Sequence, residues 1–253
     1  MPRVDPPHNI EAVSWPEDEG CLGVVGVAPW ATIDFLATLY GMVAASKDWH
    51  YPRVIVDNNP KIPSRGRHLE LGEPNPAPAI GQTISELLAN GADIVAVICN
   101  TAHILYPQWA AQHSGKVLNI VDETVRQIND GSTNRVAVFA SRSLTNVALY
   151  DQALNNVGIS TYVLDEGQKT AVYETIENVK QHGSIGAAPS GRISRVLEEL
   201  RSAGVEGVVL GCTELSSIAP LAEELGLRAY DSNRCLAVNA LRSIRAQRVK
   251  PGE

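Results

Sequence analysis

Residues 86–103 read ELLANGADIVAVICNTAH and residues 199–215 read ELRSAGVEGVVLGCTEL. Laid one on the other, Glu86-Leu87 falls on Glu199-Leu200, Gly91 on Gly204, Asp93 on Glu206, Val95 on Val208 and Cys99 on Cys212, at a constant offset of 113. The same shift carries the run from Leu22 to Val27 onto Arg135 to Ala140, and Thr32 onto Thr145. One match among apolar runs is expected by chance, but strands, glycines and cysteines agreeing at one offset indicate a duplicated half. Further along, Val121-Asp122 and Tyr230-Asp231 each read as the end of a short strand before a helix, at an offset of 109.

Outward from these stretches, short apolar runs alternate with helix-length segments. The runs Leu22 to Val27, Val54 to Val56, Ile94 to Ile98, Val117 to Val121, Val136 to Phe139, Thr161 to Leu164 and Val205 to Leu210 have the unbroken apolar character of strands covered on both faces. Strand and helix in alternation predict an α/β fold with parallel sheets. The expected architecture is two pseudo-symmetric, doubly wound, Rossmann-like domains with a cleft between them. Residues 21–122 plus 223–253 form the first domain and residues 123–222 the second. Pro2, Pro6, Pro7 and Pro16 make residues 1–20 an extended tail, because proline blocks both helix and central strand.

Composition narrows the function classes. Hydrophobic residues make up 44% of the 253-residue chain against 19% charged, which suits a packed core rather than a disordered chain. The net charge is −7 and the 21 basic residues are scattered, so the footprint of a nucleic-acid or anionic-membrane binder is missing. No apolar run is long enough to span a bilayer, and Met1 to Gly20 lacks the apolar region of a signal peptide, so a cytoplasmic protein is expected. Cys21, Cys99, Cys212 and Cys235 are widely separated, without the close Cys/His spacing of a zinc site. Reduced thiols, no metal and no cofactor are the expectation. Gly20, Gly23 and Gly26 do not compose G-x-G-x-x-G, and Pro29 interrupts the turn, which removes a dinucleotide site.

Chemistry concentrates where each duplicated strand ends: Cys99-Asn100-Thr101-Ala102-His103 in one half, Gly211-Cys212-Thr213-Glu214-Leu215 in the other. Open α/β sheets bind ligands at strand C-terminal ends, where helix N-termini offer unpaired N–H groups and a positive dipole end that holds carboxylates and lowers thiol pKa. If the halves face each other, two thiols meet across one cleft. Inverting a tetrahedral carbon needs a base on one face and an acid on the other. A thiol with an unperturbed pKa of about 8.5 can serve as either. A strand-end cysteine is otherwise a small buried hydrophobe, and Cys21 and Cys235, which have no duplicated partners, keep that reading. His103, at a helix start, reads more readily as a hydrogen-bonded structural group than as an acid or base.

These segments resemble the aspartate/glutamate racemase superfamily, and most closely its aspartate racemases, along nearly the whole chain from Cys21 onward. Asn58-Asn59-Pro60-Lys61-Ile62-Pro63-Ser64-Arg65 is similar to the family's Asn-Asn-Pro-Gln-Ile-Pro-Asp-Arg, and Glu177-Asn178-Val179-Lys180 to its lysine-bearing segment. The resemblance implies a cofactor-independent racemase that assembles as a homodimer. It implies Cys99 and Cys212 as the catalytic pair and Arg65 and Lys180 as ligands for substrate carboxylates. Asn100, Thr101 and Thr213 would orient the α-carboxylate and amine, with Asn58 and Thr32 as further substrate-binding candidates. Glu214 either accepts the substrate ammonium, orients the thiol, or merely stabilises a first helical turn. Gly26-Val27-Ala28-Pro29-Trp30-Ala31-Thr32 departs from the family's Gly-Met-Gly-Pro-x-Ala-Thr, and Gly66 stands where threonine is common, so the pocket is reshaped there. Aspartate is the favoured substrate, with a glutamate racemase or a maleate isomerase-like enzyme as the alternative. A non-catalytic small-molecule receptor shares the two-lobed plan but has no need of paired thiols. A redox dithiol protein would call for a Cys-x-x-Cys motif, which is missing.

Overall fold

The computed structural model describes residues 10–11, 19–183 and 187–248. The first half runs β1 (Ile10–Glu11), β2 (Leu22–Gly26), α1 (Pro29–Gly41), β3 (Val43–Ala44), β4 (Val54–Asn58), α2 (Arg65–Leu71), α3 (Ala77–Ala89), β5 (Ile94–Ile98), α4 (Tyr106–Ala110), β6 (Val117–Leu118) and α5 (Ile120–Asp130). The second half runs β7 (Arg135–Ala140), α6 (Arg142–Val147), α7 (Leu149–Asn155), β8 (Ser160–Tyr162), α8 (Glu166–His182), α9 (Ala187–Ser202), β9 (Gly207–Gly211), α10 (Ala219–Glu224), β10 (Arg228–Asp231) and α11 (Ser232–Arg248).

The apolar runs form two four-stranded sheets of order β4-β2-β5-β6 and β10-β9-β7-β8. Every pairing is parallel. With β7, β8, β9 and β10 taken as the counterparts of β2, β4, β5 and β6, the two orders are identical. The local chemistry repeats as well. Asp93 Oδ2 accepts from the Cys21 amide at 2.7 Å, and its counterpart Glu206 Oε2 accepts from the Asn134 amide at 2.9 Å. Thr32 Oγ1 lies 3.0 Å from the Ala28 carbonyl, and Thr145 Oγ1 lies 3.1 Å from that of Ser141. Gly91 and Gly204 take φ of +96° and +76°, a left-handed turn that favours glycine.

Both sheets are covered on both faces. Along β5, Ile94, Ala96 and Ile98 point into a core shared by the halves, while Val95 and Val97 point the other way, onto Ile80, Ile84 and Leu87 of α3. On the second sheet, Val209 faces the shared core while Val208 and Leu210 face Val172 and Ile176 of α8 and Ile193 and Leu197 of α9. The shared core also takes in Leu236, Leu241 and Ile244 of α11.

Two expectations need correcting. Val121 and Asp122 do not end a strand: β6 stops at Leu118, and Asn119 caps α5 by accepting from the Val121 amide at 3.0 Å and the Asp122 amide at 3.5 Å. The chain returning after residue 222 does not all join the first half. β10 pairs with β9 and completes the second sheet, and it is α11 that crosses back to pack on α1, α5 and β5. Divisions at 122/123 and 222/223 therefore fall inside α5 and α10. Of the N-terminal tail, Ile10–Glu11 pairs in parallel with Val43–Ala44, and residues 1–9 and 12–18 lie outside the described residues. No helix among the described residues is long and apolar enough to cross a membrane.

Candidate active site

β5 and β9 are central in their sheets and buried at every position. Their C-terminal ends deliver Cys99 and Cys212 to the same place. Each cysteine region leads into a 3₁₀ turn, Thr101–Leu105 in one half and Thr213–Ile218 in the other. Both cysteines line one cavity of about 520 Å³ between the halves. Arg65, Asn100, Thr101, Lys180, Thr213 and Glu214 line it too, so eight of the ten residues singled out in the sequence line one cavity.

Thr32 and Asn58 do not. Thr32 is buried on the inner side of α1, where its hydroxyl lies 3.1 Å from Asn58 Oδ1. A Cβ on Gly26 would collide with both side chains, so this pair fixes the loop that brings Ala28 to the cavity instead of reaching the cavity itself. Cys21 and Cys235 are buried away from that cavity.

The two thiols sit in different surroundings. Cys212 is buried, and its Sγ donates to Glu214 Oε2 at 3.0 Å, an oxygen that also lies 3.1 Å from Thr213 Oγ1. Burial first, then the charge and hydrogen bond of Glu214, push the Cys212 thiol well above its ordinary range, with Lys180 pulling weakly the other way. Cys212 is thus held as a protonated thiol. Cys99 is half-buried, and its carbonyl is held by His103 Nδ1 at 2.8 Å. Burial lowers His103 to about 4, and its ring packs against those of Tyr106 and Trp109 at centroid distances of 5.7 and 5.0 Å. A neutral imidazole with Nδ1 against a carbonyl is a donor that shapes the Cys99 loop, which matches the structural reading of this histidine.

The cations are built in differently. Arg65 Nη1 donates to the Ile62 and Pro63 carbonyls at 3.3 and 3.2 Å, and Nη2 to that of Val27 at 3.4 Å. Its buried Nε has no hydrogen-bond partner, and no ion pair joins Arg65 to a carboxylate among the described residues. Lys180 Nζ lies 2.8 Å from Glu177 Oε1. Burial draws the ammonium down, but Glu177, Cys212 and Glu214 outweigh it and leave Lys180 raised and charged.

Several lining residues escaped the sequence reading. Tyr173, Ile176, Glu177 and Lys180 lie on the cavity at i, i+3, i+4 and i+7 of α8, one helical face that the known position of Lys180 could have disclosed. Arg142 lies 4.7 Å from the Tyr173 ring centroid, and Ser143 Oγ donates to Glu70 Oε1 at 2.5 Å, tying α6 to α2 across the cavity. No motif marks Arg142, Ser143, Glu70 or Tyr173.

Like α/β halves that close on a pair of thiols, with cations lining the same cavity, define a class of isomerase-like sites. The chain belongs to the Asp/Glu/hydantoin racemase family, whose model matches residues 23–240. It is 28% identical over 206 residues to the broad specificity amino-acid racemase RacX of Bacillus subtilis (strain 168), covering 81% of this chain and 86% of that protein. Among solved structures, the Picrophilus torridus aspartate racemase superposes with a TM-score of 0.80 at 25% identity, covering 89% of this chain and 94% of that one. An aspartate racemase homologue from Pyrococcus horikoshii OT3 gives 0.71 at 20% identity, covering 88% and 98%.

Proposed function

We propose that this protein interconverts the enantiomers of an acidic amino acid, aspartate first, by cofactor-independent proton transfer between Cys99 and Cys212. The observation that carries this reading is the meeting of both duplicated thiols in one cavity with Arg65 and Lys180. The thiolate of one cysteine takes the α-proton, so that an S–H bond forms as the C–H bond breaks. The electron pair stays on the α-carbon and spreads into the carboxylate. The opposite thiol then gives its proton to the other face, and the net result is a proton moved from one sulfur to the other and an inverted centre. Arg65 and Lys180 offset the charge that builds up during this step.

Cys212, protonated against Glu214, is the acid of the resting form. We assign it to the face from which the L-enantiomer is deprotonated and Cys99 to the face for the D-enantiomer, so the resting form takes D-substrate. A broader substrate range is favoured by the cavity of about 520 Å³, which exceeds what aspartate fills, and by the likeness to RacX. A chiral assay of aspartate, glutamate and alanine in D₂O tests both. Racemisation with deuterium at the α-carbon from the first turnover, lost by several orders of magnitude in Cys99→Ser and in Cys212→Ser, is the expected result. Substantial racemisation by either variant rules out the two-thiol mechanism, and alanine turned over as fast as aspartate overturns the acidic preference.

A further inference from the structure

Beneath the cavity floor, one side chain touches both thiol segments. Tyr150 of α7 is fully buried. Its hydroxyl donates to Asn100 Oδ1 at 2.7 Å, on the residue that follows Cys99. Its ring lies against Gly211, the residue that precedes Cys212, so closely that a Cβ there would come within 2.8 Å of Cε2. The other end of the Asn100 amide is also fixed: Nδ2 donates to Ser232 Oγ at 2.8 Å, and Ser232 Oγ donates to the Leu210 carbonyl at 2.8 Å. The contacts close on themselves, from β5 through Asn100 to Tyr150 and Gly211, and back through Leu210 and Ser232.

We propose that Tyr150 is a positioning residue that sets the separation of the two thiol segments and locks the Asn100 carboxamide, leaving one Nδ2–H free to face the cavity. The inference rests on the proposed two-thiol reaction. An amide with Oδ1 tied to a phenol and one N–H tied to a serine cannot flip, so it presents a donor and never an acceptor to a substrate carboxylate. A shared buried strut also keeps the sulfurs from drifting apart, and misplacement on the order of 1 Å lowers such rates roughly 100-fold. Burial raises the phenol far above its ordinary range, so Tyr150 stays a donor at every working pH and takes no part in proton transfer.

The test is a double-mutant cycle on kcat/KM with Tyr150→Phe and Asn100→Ala, with thermal unfolding followed in parallel. Tyr150→Phe keeps the ring against Gly211 and removes only the hydroxyl. Positioning predicts a loss of about 10- to 100-fold, mostly in kcat, that shrinks to less than about 2-fold in the Asn100→Ala background. Ser232→Ala, which frees the opposite end of the same amide, should reproduce the loss and serves if Tyr150→Phe does not fold. Near-wild-type kinetics in a folded Tyr150→Phe, or the same fold-loss with and without Asn100, overturns the proposal. A second readout needs no racemisation: iodoacetamide should alkylate Cys99 several-fold faster in Tyr150→Phe while Cys212 is unchanged. Equal Cys99 rates would sink the positioning role, whereas wild-type protein that inverts no amino acid while those rates differ would sink only the reaction.

Discussion

At the scale of single residues, Glu214 decides which form Cys212 takes. Its Oε2 receives the Cys212 thiol at 3.0 Å, and its charge is the second cause, after burial, of the raised thiol. Glu214→Gln removes that charge and leaves the burial, so the pH at which Cys212 becomes alkylatable should fall. Mass-spectrometric alkylation rates across pH check this, and an unmoved or higher midpoint would show that Glu214 does not control the thiol. The cations call for a different test. Arg65→Leu and Lys180→Leu each remove a charge-assisted bond, expected to cost about 2–4 kcal/mol, or roughly 30- to 1000-fold in kcat/KM for dicarboxylic substrates. Normal kinetics in either variant removes that residue from the substrate site. The sequence made Cys99, Cys212, Arg65 and Lys180 legible because each lies within a distinctive run. Thr32 and Asn58 lie in runs of the same kind and yet face each other behind the wall, because a motif fixes neighbours along the chain but not the direction in which a side chain points. Arg142 and Tyr173 come together only through folding, from segments with no signature of their own.

At the scale of elements, the strands were readable wherever both faces are covered. β2, β5 and β9 are buried at every position, so each is an unbroken apolar run. β6 was overextended because Ile120 and Val121 continue its apolar character, although Asn119 marks a helix start by accepting from two amides. β10 was legible only at its end, since its outer residues Arg228, Ala229 and Tyr230 are exposed or half-buried and break the apolar pattern. Close packing of strand end on helix gives a prediction here. Gly211→Ala puts a methyl group 2.8 Å from the Tyr150 ring, whereas nothing lies within 4 Å of the same atom on Gly41 at the end of α1. Overpacking should destabilise Gly211→Ala by about 1–3 kcal/mol, while Gly41→Ala should be neutral or mildly stabilising. Thermal unfolding distinguishes them, and equal melting temperatures would mean that the Tyr150 contact yields without strain.

At the scale of the whole molecule, the halves also meet at a buried acid. Asp231, at the end of the second sheet, accepts from the Asn233 amide at 3.0 Å and from Ser216 Oγ at 3.2 Å, while Asn233 Nδ2 donates to Asp34 Oδ2 of α1 at 2.9 Å. Burial, then the like charge of Asp34, raises Asp231 to about 7. The folded protein therefore keeps a proton that the unfolded chain releases near pH 4, so this contribution is fully present below that pH and is lost as pH rises towards 7. Asp231→Asn removes the titration, and its melting temperature relative to wild type should improve between pH 5 and pH 8. An offset that is the same at both values would mean that Asp231 carries no such linkage. The two-sheet plan was legible in the 113-residue offset, but the shared core was not, because a repeat records what the halves have in common and is silent about how they join. That joining has a consequence for how the protein is made. The faces of α1 and β5 that enter the shared core are covered by α11, which follows all the other described elements along the chain, and the carbonyl of Ile244 near its end accepts from the Gly20 amide just ahead of β2. The first half is made before the second and is sealed after it, because its shared-core face stays open until α11 has been synthesised.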